Sequence, residues 1–546
     1  MTMNLEALQF LVVDDLRDMR MNLRGILESL QAKQIVEAKS GDDALEQLQR
    51  HKADVVLCDY NMGDGRNGQQ TLEEARGRGL LKPTAAWLMV TAEQVPEVVM
   101  GVVENNPDGY LVKPINKQLL LQRLQRVIPR KRVLGPVEAA CAAGGFAGAV
   151  TACDGLIEKY PPLRSDLLRL KTRALLELGQ FVEAADLCFG ILTEREHPWA
   201  LLALARARYE LGSARDARRY LGQLIDRHPS VMEAYDLLAR IEREAGNHPE
   251  ARRVLVSALA ISPLSVRRQQ TLGDVAAESG EFAEAARAYE RAVRLGEDSC
   301  FARPEDAACL VQATLNGKGA EAALRVMQDL AKHNSRRRGG QAPDWRLLTV
   351  HARLLRQLGQ TTEAEAALLQ ALTMYRRDSE HDNAAHSLDL VRCCYELGRR
   401  EEARGVVRKL VRENFDRAAQ LELIEKMLDE FGDAADGRRI IEEERAAVIK
   451  INNEGVLMAK SGRYSEGLAM LQQAAEELPN NLTVVANVVF ATLIQMQKEG
   501  VSQQVRYIAH EYIARAERLA PRSPKVAQLR ARLNALEAPR PAPAKA

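Results

Sequence analysis

The stretch Phe10-Leu11-Val12-Val13-Asp14-Asp15 decides how the first part of this chain folds. Four apolar residues run without a polar break and stop at two carboxylates. An unbroken apolar run of this length, rather than an alternating one, marks a strand covered on both faces. Further runs follow at Ile35-Val36, Val55-Val56-Leu57-Cys58, Trp87-Leu88-Met89-Val90 and Tyr110-Leu111-Val112. Between them lie amphipathic stretches with helical spacing, such as Met19 to Leu30 and Gly41 to Leu48. Short buried strands separated by helices predict a parallel sheet with helices on both sides. In such a sheet the ligand site lies beyond the carboxyl ends of the strands.

Those ends carry chemistry. The first strand runs into Asp14 and Asp15, the third into Asp59, the fourth into Thr91 and the fifth into Lys113-Pro114. Singly, an aspartate at a strand end is a cap or turn former. Together, three carboxylates, a hydroxyl and an ammonium suit phosphoryl transfer to a carboxylate. Asp14 and Asp15 offer hard oxygen ligands for Mg²⁺. Asp59 can act as the nucleophile, Lys113 can neutralise phosphoryl oxygens, and Thr91 can donate a hydrogen bond to the transferred group.

On Val12-Val13-Asp14-Asp15, Cys58-Asp59-Tyr60-Asn61-Met62, Val90-Thr91-Ala92 and Tyr110-Leu111-Val112-Lys113-Pro114, residues 8 to 128 resemble the receiver domain of two-component response regulators. The resemblance implies a flavodoxin-like α/β fold with a five-stranded parallel sheet. It implies that Asp59 is the phospho-acceptor, and that Asp14, Asp15, Asp59 and the backbone carbonyl of Asn61 hold Mg²⁺. Thr91 and Tyr110 match the family's switch pair, and Lys113 its phosphate-contacting lysine. The implied donor is a sensor histidine kinase or a histidine phosphotransfer protein. Gly63 stands where many receivers have proline, a difference expected to touch loop stiffness and not chemistry. Such a domain catalyses its own aspartyl phosphorylation and dephosphorylation and is not otherwise an enzyme.

Beyond Val133 a different pattern begins. Gly144, Gly179, Gly212, Gly246 and Gly280 recur at steps of 33 to 35, each followed five residues later by Ala149, Ala184, Ala217, Ala251 or Ala285. Pro161, Pro229 and Pro263 fall seventeen residues after three of the glycines. Glycine permits the positive φ at which one helix of a pair ends, alanine lets two helices approach, and proline stops the second helix. This register resembles the tetratricopeptide repeat, and implies an all-α superhelical solenoid. Its best unit runs from Val266 to Leu295, and a late copy holds Asn453, Gly455, Gly462, Leu471, Ala474 and Pro479. Gly317/Ala322, Gly359/Ala364 and Gly398/Ala403 continue the pattern irregularly, so plain helical hairpins stay open as an alternative over 300 to 450.

Stacked units make a concave groove. The repeat family's groove positions fall on Arg169, Arg173, Trp199, Arg206, Arg240 and Arg243, which would favour an acidic peptide or a terminal carboxylate. The alternative is that Arg173/Glu177, Arg206/Glu210 and Arg240/Glu244, each four apart, pair along solvated helices.

Composition narrows the function classes. With 46% hydrophobic and 28% charged residues, 546 residues support several domains. The 76 basic and 75 acidic residues nearly cancel, so nothing favours nucleic acid or an anionic membrane as partner. Arg336-Arg337-Arg338-Gly339-Gly340 reads as an exposed loop, and no DNA-binding helix-turn-helix signature accompanies it. His197, His228, His248 and His333 fall at helix ends or loops. Eight cysteines without a CxxC pair suggest free thiols in a reducing cytoplasm. The N-terminus lacks a signal-peptide pattern, and the uncharged run from Ala139 to Cys153 is shorter than the ~20 residues that span a bilayer.

The expected organisation is a receiver over 1–129, a short basic linker over 130–136, helical repeats over 137–535 and a disordered Pro/Ala-rich tail over 536–546. So short a linker predicts that the receiver packs on the first repeat. Phosphorylation of Asp59 is expected to draw in Thr91, turn Tyr110 inward and reshape the face of the fourth and fifth helices and strands. That change would expose or hide a protein-binding groove. Two rivals are a scaffold indifferent to phosphorylation and a helical region that hides an enzyme. Against the second, residues beyond 130 show no nucleophile elbow, Walker loop or metal-spaced His/Cys cluster.

Overall fold

Strand β1 (Gln9–Val13) sits inside a five-stranded parallel sheet of order β2-β1-β3-β4-β5, with β2 at Gln34–Ala38, β3 at Val55–Asp59, β4 at Ala86–Thr91 and β5 at Gly109–Val112. The architecture comes from a computed structural model, which describes residues 4–63, 65–91, 107–336, 344–377, 384–479, 481–520 and 523–537. Ala92 and the rest of the segment up to 106, residues 337–340 of the arginine-rich loop and residues 538–546 of the expected tail lie outside the described residues. Arg336 and residues 536–537 end helices instead of belonging to loop and tail.

Register explains why the polar strand ends meet. Val13 pairs with Cys58, Asp59 with Val90, and Thr91 with Val112. Asp14, Asp59, Thr91 and Lys113 therefore arrive at one edge. Alternate residues face opposite sides of each strand. Phe10, Val12, Leu57 and Leu88 pack under α1 (Arg17–Ser29) and the N-terminal half of α4 (Lys117–Ala142). Leu11, Val13, Val56 and Trp87 pack under α2 (Gly41–Arg50) and α3 (Gly68–Gly77). Ser40, Asn67 and Asn116 cap α2, α3 and α4, each accepting a hydrogen bond from a first-turn N–H.

The expected linker, 130–136, is not a loop. It lies inside α4, which runs through Pro129 and Pro136. Tertiary contacts hold this segment helical although proline disfavours a helix interior. Lys131, nearly buried, bonds to Glu138 at 2.9 Å and reaches Asp108 at 3.2 Å. Gly135 lets the helix press on the chain before β4, where an added Cβ would stand 2.8 Å from the carbonyl of Pro83. Arg130 makes a two-pronged bond, at 2.8 Å each, to Asp166 of the first helical pairs.

The chain divides into two compact units, residues 1–317 and 318–546, so the receiver shares a unit with the first repeats. After α4, the first unit continues through α5 (Phe146–Lys159), α6 (Arg164–Glu177), α7 (Phe181–Glu194), α8 (Pro198–Glu210), α9 (Ala214–Arg227), α10 (Met232–Glu244), α11 (His248–Ile261), α12 (Val266–Glu278), α13 (Phe282–Gly296) and α14 (Asp306–Lys318). Gly144, Gly179, Gly212, Gly246 and Gly280 all take positive φ, and the alanines five residues later have no exposed surface.

In the second unit, α15 (Ala320–Arg336), α16 (Trp345–Gln357), α17 (Thr361–Arg377), α18 (Ala384–Glu396), α19 (Arg400–Glu413) and α20 (Ala418–Glu430) keep this rule at Gly359/Ala364 and Gly398/Ala403. The expected pair Gly317/Ala322 is corrected to Gly319/Ala323. Gly317 is inside α14 against Phe282, while Gly319 takes φ +82° and Ala323 is fully buried. Helix α21 (Ala434–Lys460) runs for 27 residues because Ile440 to Asn453 contains no glycine or proline to end it. The late copy follows in α22 (Tyr464–Glu477), where Gly455 of α21 meets Leu471, and α23 (Leu482–Glu499), α24 (Gln503–Leu519) and α25 (Pro524–Glu537) close the described chain. Among the described residues no helix is long and apolar enough to cross a membrane.

Two helix glycines give opposite expectations. A Cβ on Gly273 would stand 2.6 Å from the Tyr289 ring, whereas one on Gly222 meets nothing within 4 Å. Gly273→Ala is expected to destabilise by about 1–3 kcal/mol, and Gly222→Ala to stabilise by about 0.5–1 kcal/mol. Denaturant titration of each variant measures both.

Candidate functional site

At the sheet edge, Lys113 reaches back between two carboxylates. Its Nζ donates to Asp14 Oδ2 and to Asp59 Oδ2, at 3.0 Å each. Asp14 is fully buried and Asp59 retains 6% of its surface. The second oxygen of each carboxylate is held by backbone: Asp14 Oδ1 accepts from Leu16 N at 2.9 Å, and Asp59 Oδ1 from Tyr60 N at 3.0 Å. Asp15, the third carboxylate, is exposed. Thr91 is buried at the end of β4, where its carbonyl accepts from Lys113 N at 2.9 Å. Tyr110 is half-buried against the cluster that contains Leu72, Trp87 and Met89.

Burial dominates the electrostatics. It pushes the Asp59 carboxyl above its ordinary value, with Asp14 adding to the push, while the bond to Lys113 pulls the other way without cancelling it. For Lys113, burial disfavours the charge, but bonds to Asp59 and Asp14 outweigh that and hold the ammonium protonated. Burial also pushes the Tyr110 hydroxyl to about 12, so it remains a donor at neutral pH. The neighbouring Cys58 thiol is pushed well up by burial and is not a competing nucleophile.

One oxygen from each of Asp14, Asp15 and Asp59 can be chosen so that all lie within 4.8 Å of one another. This oxygen-only set fits a hard divalent cation such as Mg²⁺ and offers no soft ligand. The backbone explains how the loop beyond β3 accommodates them. Gly68 lets α3 begin against the chain at Asp59, since a Cβ there would fall 2.2 Å from the Asp59 carbonyl. Gly63 takes φ +66°, a conformation closed to proline, and an added Cβ would stand 3.2 Å from Asp15 Oδ2. A proline could not follow the loop's path at this position.

Three further side chains tie this region down, and the sequence reading passed over all three. Arg20 bonds the carbonyls of Asp14 and Asp15. Arg66, on the loop after β3, pairs with Asp42 and donates through Nε to the carbonyl of Asp298 at 3.0 Å. Lys131 joins Asp108 to α4. Each partner is distant in sequence or is a backbone carbonyl, so no local motif announces it.

The repeat residues lie apart from this pocket. Arg169 and Arg173 are exposed on α6, and Trp199 packs at the start of α8 on Leu168, Ile191 and Ala200. The other arginines are paired, chiefly between successive helical pairs. Arg206 bonds Glu177 at 2.8 Å and Arg243 bonds Glu278 at 3.0 Å. Arg240 lies 3.8 Å from both Glu210 and Glu244. Of the pairs four residues apart, Arg240/Glu244 is observed, while Arg206 turns to the preceding unit.

The family described as the response regulator receiver domain matches residues 10–125. Tetratricopeptide repeats match 202–266, 271–310 and 355–427, the last within the stretch where plain hairpins had stayed open. The chemotaxis protein CheY of Pseudomonas aeruginosa is 31% identical over 123 residues, 22% of this chain and 98% of that protein. CheY-3 of Vibrio cholerae serotype O1 is 32% identical over 123 residues, covering 22% of this chain and 93% of its own length. Among solved structures, a tetratricopeptide repeat protein from Parabacteroides merdae overlaps 48% of this chain and 97% of its own, at 16% identity and a TM-score of 0.30.

The raised carboxyl of Asp59 has a thermodynamic consequence. The folded chain takes up this proton at a higher pH than the unfolded chain, so ionised Asp59 weakens the fold at neutral pH. Asp59→Asn is expected to raise the melting temperature at pH 7. The gain should shrink as pH falls through the raised value and vanish below the ordinary carboxylate range. Thermal unfolding followed against pH checks this; a gain independent of pH contradicts it.

Proposed function

The chain belongs to the response regulator receiver family and carries tetratricopeptide repeats behind its receiver, and on that premise we propose that it is switched by phosphorylation of Asp59 and acts through protein binding by its repeats. The observation that carries this reading is Asp59 itself: buried, pinned through one oxygen, and bonded through the other to Lys113. In the proposed reaction a carboxylate oxygen of Asp59 attacks the phosphorus of a phosphohistidine on a sensor kinase or phosphotransfer protein. A P–O bond forms, the P–N bond breaks, and the imidazole leaves with its electron pair and takes a proton. Lys113 then transfers one bond from Asp59 to a phosphoryl oxygen, and the Thr91 hydroxyl donates to another. Asp14, Asp15, Asp59 and the carbonyl of Asn61 are the proposed ligands of Mg²⁺, which when bound supplies positive charge opposite the transferred group. The remaining chemistry of the chain is hydrolysis of its own acyl phosphate, and its role is that of a regulator, not of an enzyme acting on other molecules.

Phosphorylation adds up to two negative charges where Lys113 offers one positive charge. Thr91 moving toward the phosphoryl group and Tyr110 settling further inward is the proposed first response. Three contacts support transmission to the helices of the same unit. Lys131–Asp108 and Arg130–Asp166 link β5 through α4 to α6, and Arg66–Asp298 links the loop after β3 to the chain after α13. We take 1–129 as the receiver and 137–535 as the output region, with Arg169, Arg173, Trp199, Arg206, Arg240 and Arg243 as its proposed peptide-facing residues. The eight unpaired cysteines support a cytoplasmic setting.

Incubation with a ³²P-labelled phosphohistidine donor tests the reading. Label is expected on the full-length chain with Mg²⁺, and neither on Asp59→Asn nor after chelation with EDTA. Equal labelling of Asp59→Asn would falsify the assignment.

A further inference from the structure

Two pocket carboxylates stand at the corner where β1 turns into α1, and that corner is built unlike the other described helix starts of the receiver. Helices α2, α3 and α4 begin under a capping side chain, whereas α1 begins at Leu16, which caps nothing and is 58% exposed. With no side-chain cap over the first turn, other contacts hold the direction of the chain here. Arg20 does so from within α1. Its Nη1 donates to the carbonyl of Asp14 at 2.7 Å and to that of Asp15 at 3.2 Å. The guanidinium lies 3.5 Å from Glu37 of β2, with its side chain 15% exposed, and Glu37 also takes Arg24 at 2.8 Å. Next to Glu37, the Ala38 carbonyl accepts from Asp14 N at 3.3 Å. The corner is thus fastened from α1 and β2 at once through atoms behind the carboxylates, beside the bond from Leu16 N to Asp14 Oδ1.

A fixed positive charge beside a cation site is unfavourable by Coulomb's law, so Arg20 is poorly placed to help a divalent ion by its charge. Its geometry serves another purpose. We propose that Arg20 is a positioning residue: by clamping the carbonyls of Asp14 and Asp15 it fixes where their carboxylates point, and so sets how tightly the pocket takes a divalent cation. The proposal rests on the phospho-acceptor reading for the identity of the ion. Positioning and charge make opposite predictions. If charge alone mattered, removing Arg20 would tighten Mg²⁺ binding. If positioning dominates, removal weakens it, by about 10-fold on the scale of residues that orient metal ligands from behind.

Isothermal titration of the full-length chain with Mg²⁺, beside a metal-free melting curve for each variant, separates these. Arg20→Gln is expected to bind Mg²⁺ about 10-fold more weakly. Arg20→Lys, which keeps the charge and can reach one carbonyl, should recover part of the loss and guards against misfolding of the first variant. Arg20→Gln binding Mg²⁺ as tightly as wild type, or more tightly, overturns the proposal alone. Weakening no greater than that of Arg20→Lys also overturns it, since the fork across both carbonyls then contributes nothing. A wild-type chain that takes up no Mg²⁺ overturns the phospho-acceptor reading and this proposal together.

Discussion

One ammonium makes the sheet edge possible. Asp14 and Asp59 are negative groups almost wholly removed from water, and Lys113 stands 3.0 Å from both. Removing the cation from such a buried set, which leaves two carboxylates uncompensated, commonly costs about 3–5 kcal/mol, a large part of the roughly 5–15 kcal/mol that holds a domain together. Apolar residues of the same volume would fill the space at less expense in stability. Burial keeps the Asp59 carboxyl above its ordinary value despite Lys113, and perturbed groups of this kind gather at functional sites.

The helical region follows a different logic. Its pairs are held by apolar contact: Leu221, Leu368 and Leu471 are fully buried, and each such side chain is worth about 1.5–3 kcal/mol. The ladder of ion pairs between successive pairs recurs in each unit, as Glu177–Arg206 and Arg243–Glu278 in the first and as Arg356–Glu396 and Arg392–Glu430 in the second. These groups are partly exposed, and exposed pairs contribute about 0–1 kcal/mol each. The ladder therefore contributes little to stability. An acidic ligand that met these arginines would have to displace a carboxylate already in place.

Much of this was legible in the sequence for definite reasons. The strands could be read because β1, β3 and β4 carry unbroken runs of four or more apolar residues, and parallel register then brings Asp14, Asp59, Thr91 and Lys113 to one edge without further information. The repeat glycines could be read because a positive φ leaves few alternatives. Where two glycines lie close together, as at 317 and 319, spacing alone chose the wrong one. The basic stretch over 130–136 suggested a linker, which the contacts of Lys131 with Asp108 and of Gly135 with the chain before β4 overrule. The arginine ladder was hidden because its partners lie 29 to 40 residues away. Arg20 was hidden because an arginine on an amphipathic helix looks like any solvated side chain, and its partners are backbone carbonyls.

The central claim is chemical and concerns a single carboxylate. Borohydride reduces an aspartyl phosphate to homoserine, so treating the chain with acetyl phosphate and Mg²⁺, reducing it and sequencing its peptides by mass spectrometry locates the acyl phosphate directly. The account predicts homoserine at position 59 and unchanged aspartate at 14 and 15. An intact Asp59 beside a reduced residue elsewhere, or no reduced residue at all, contradicts it.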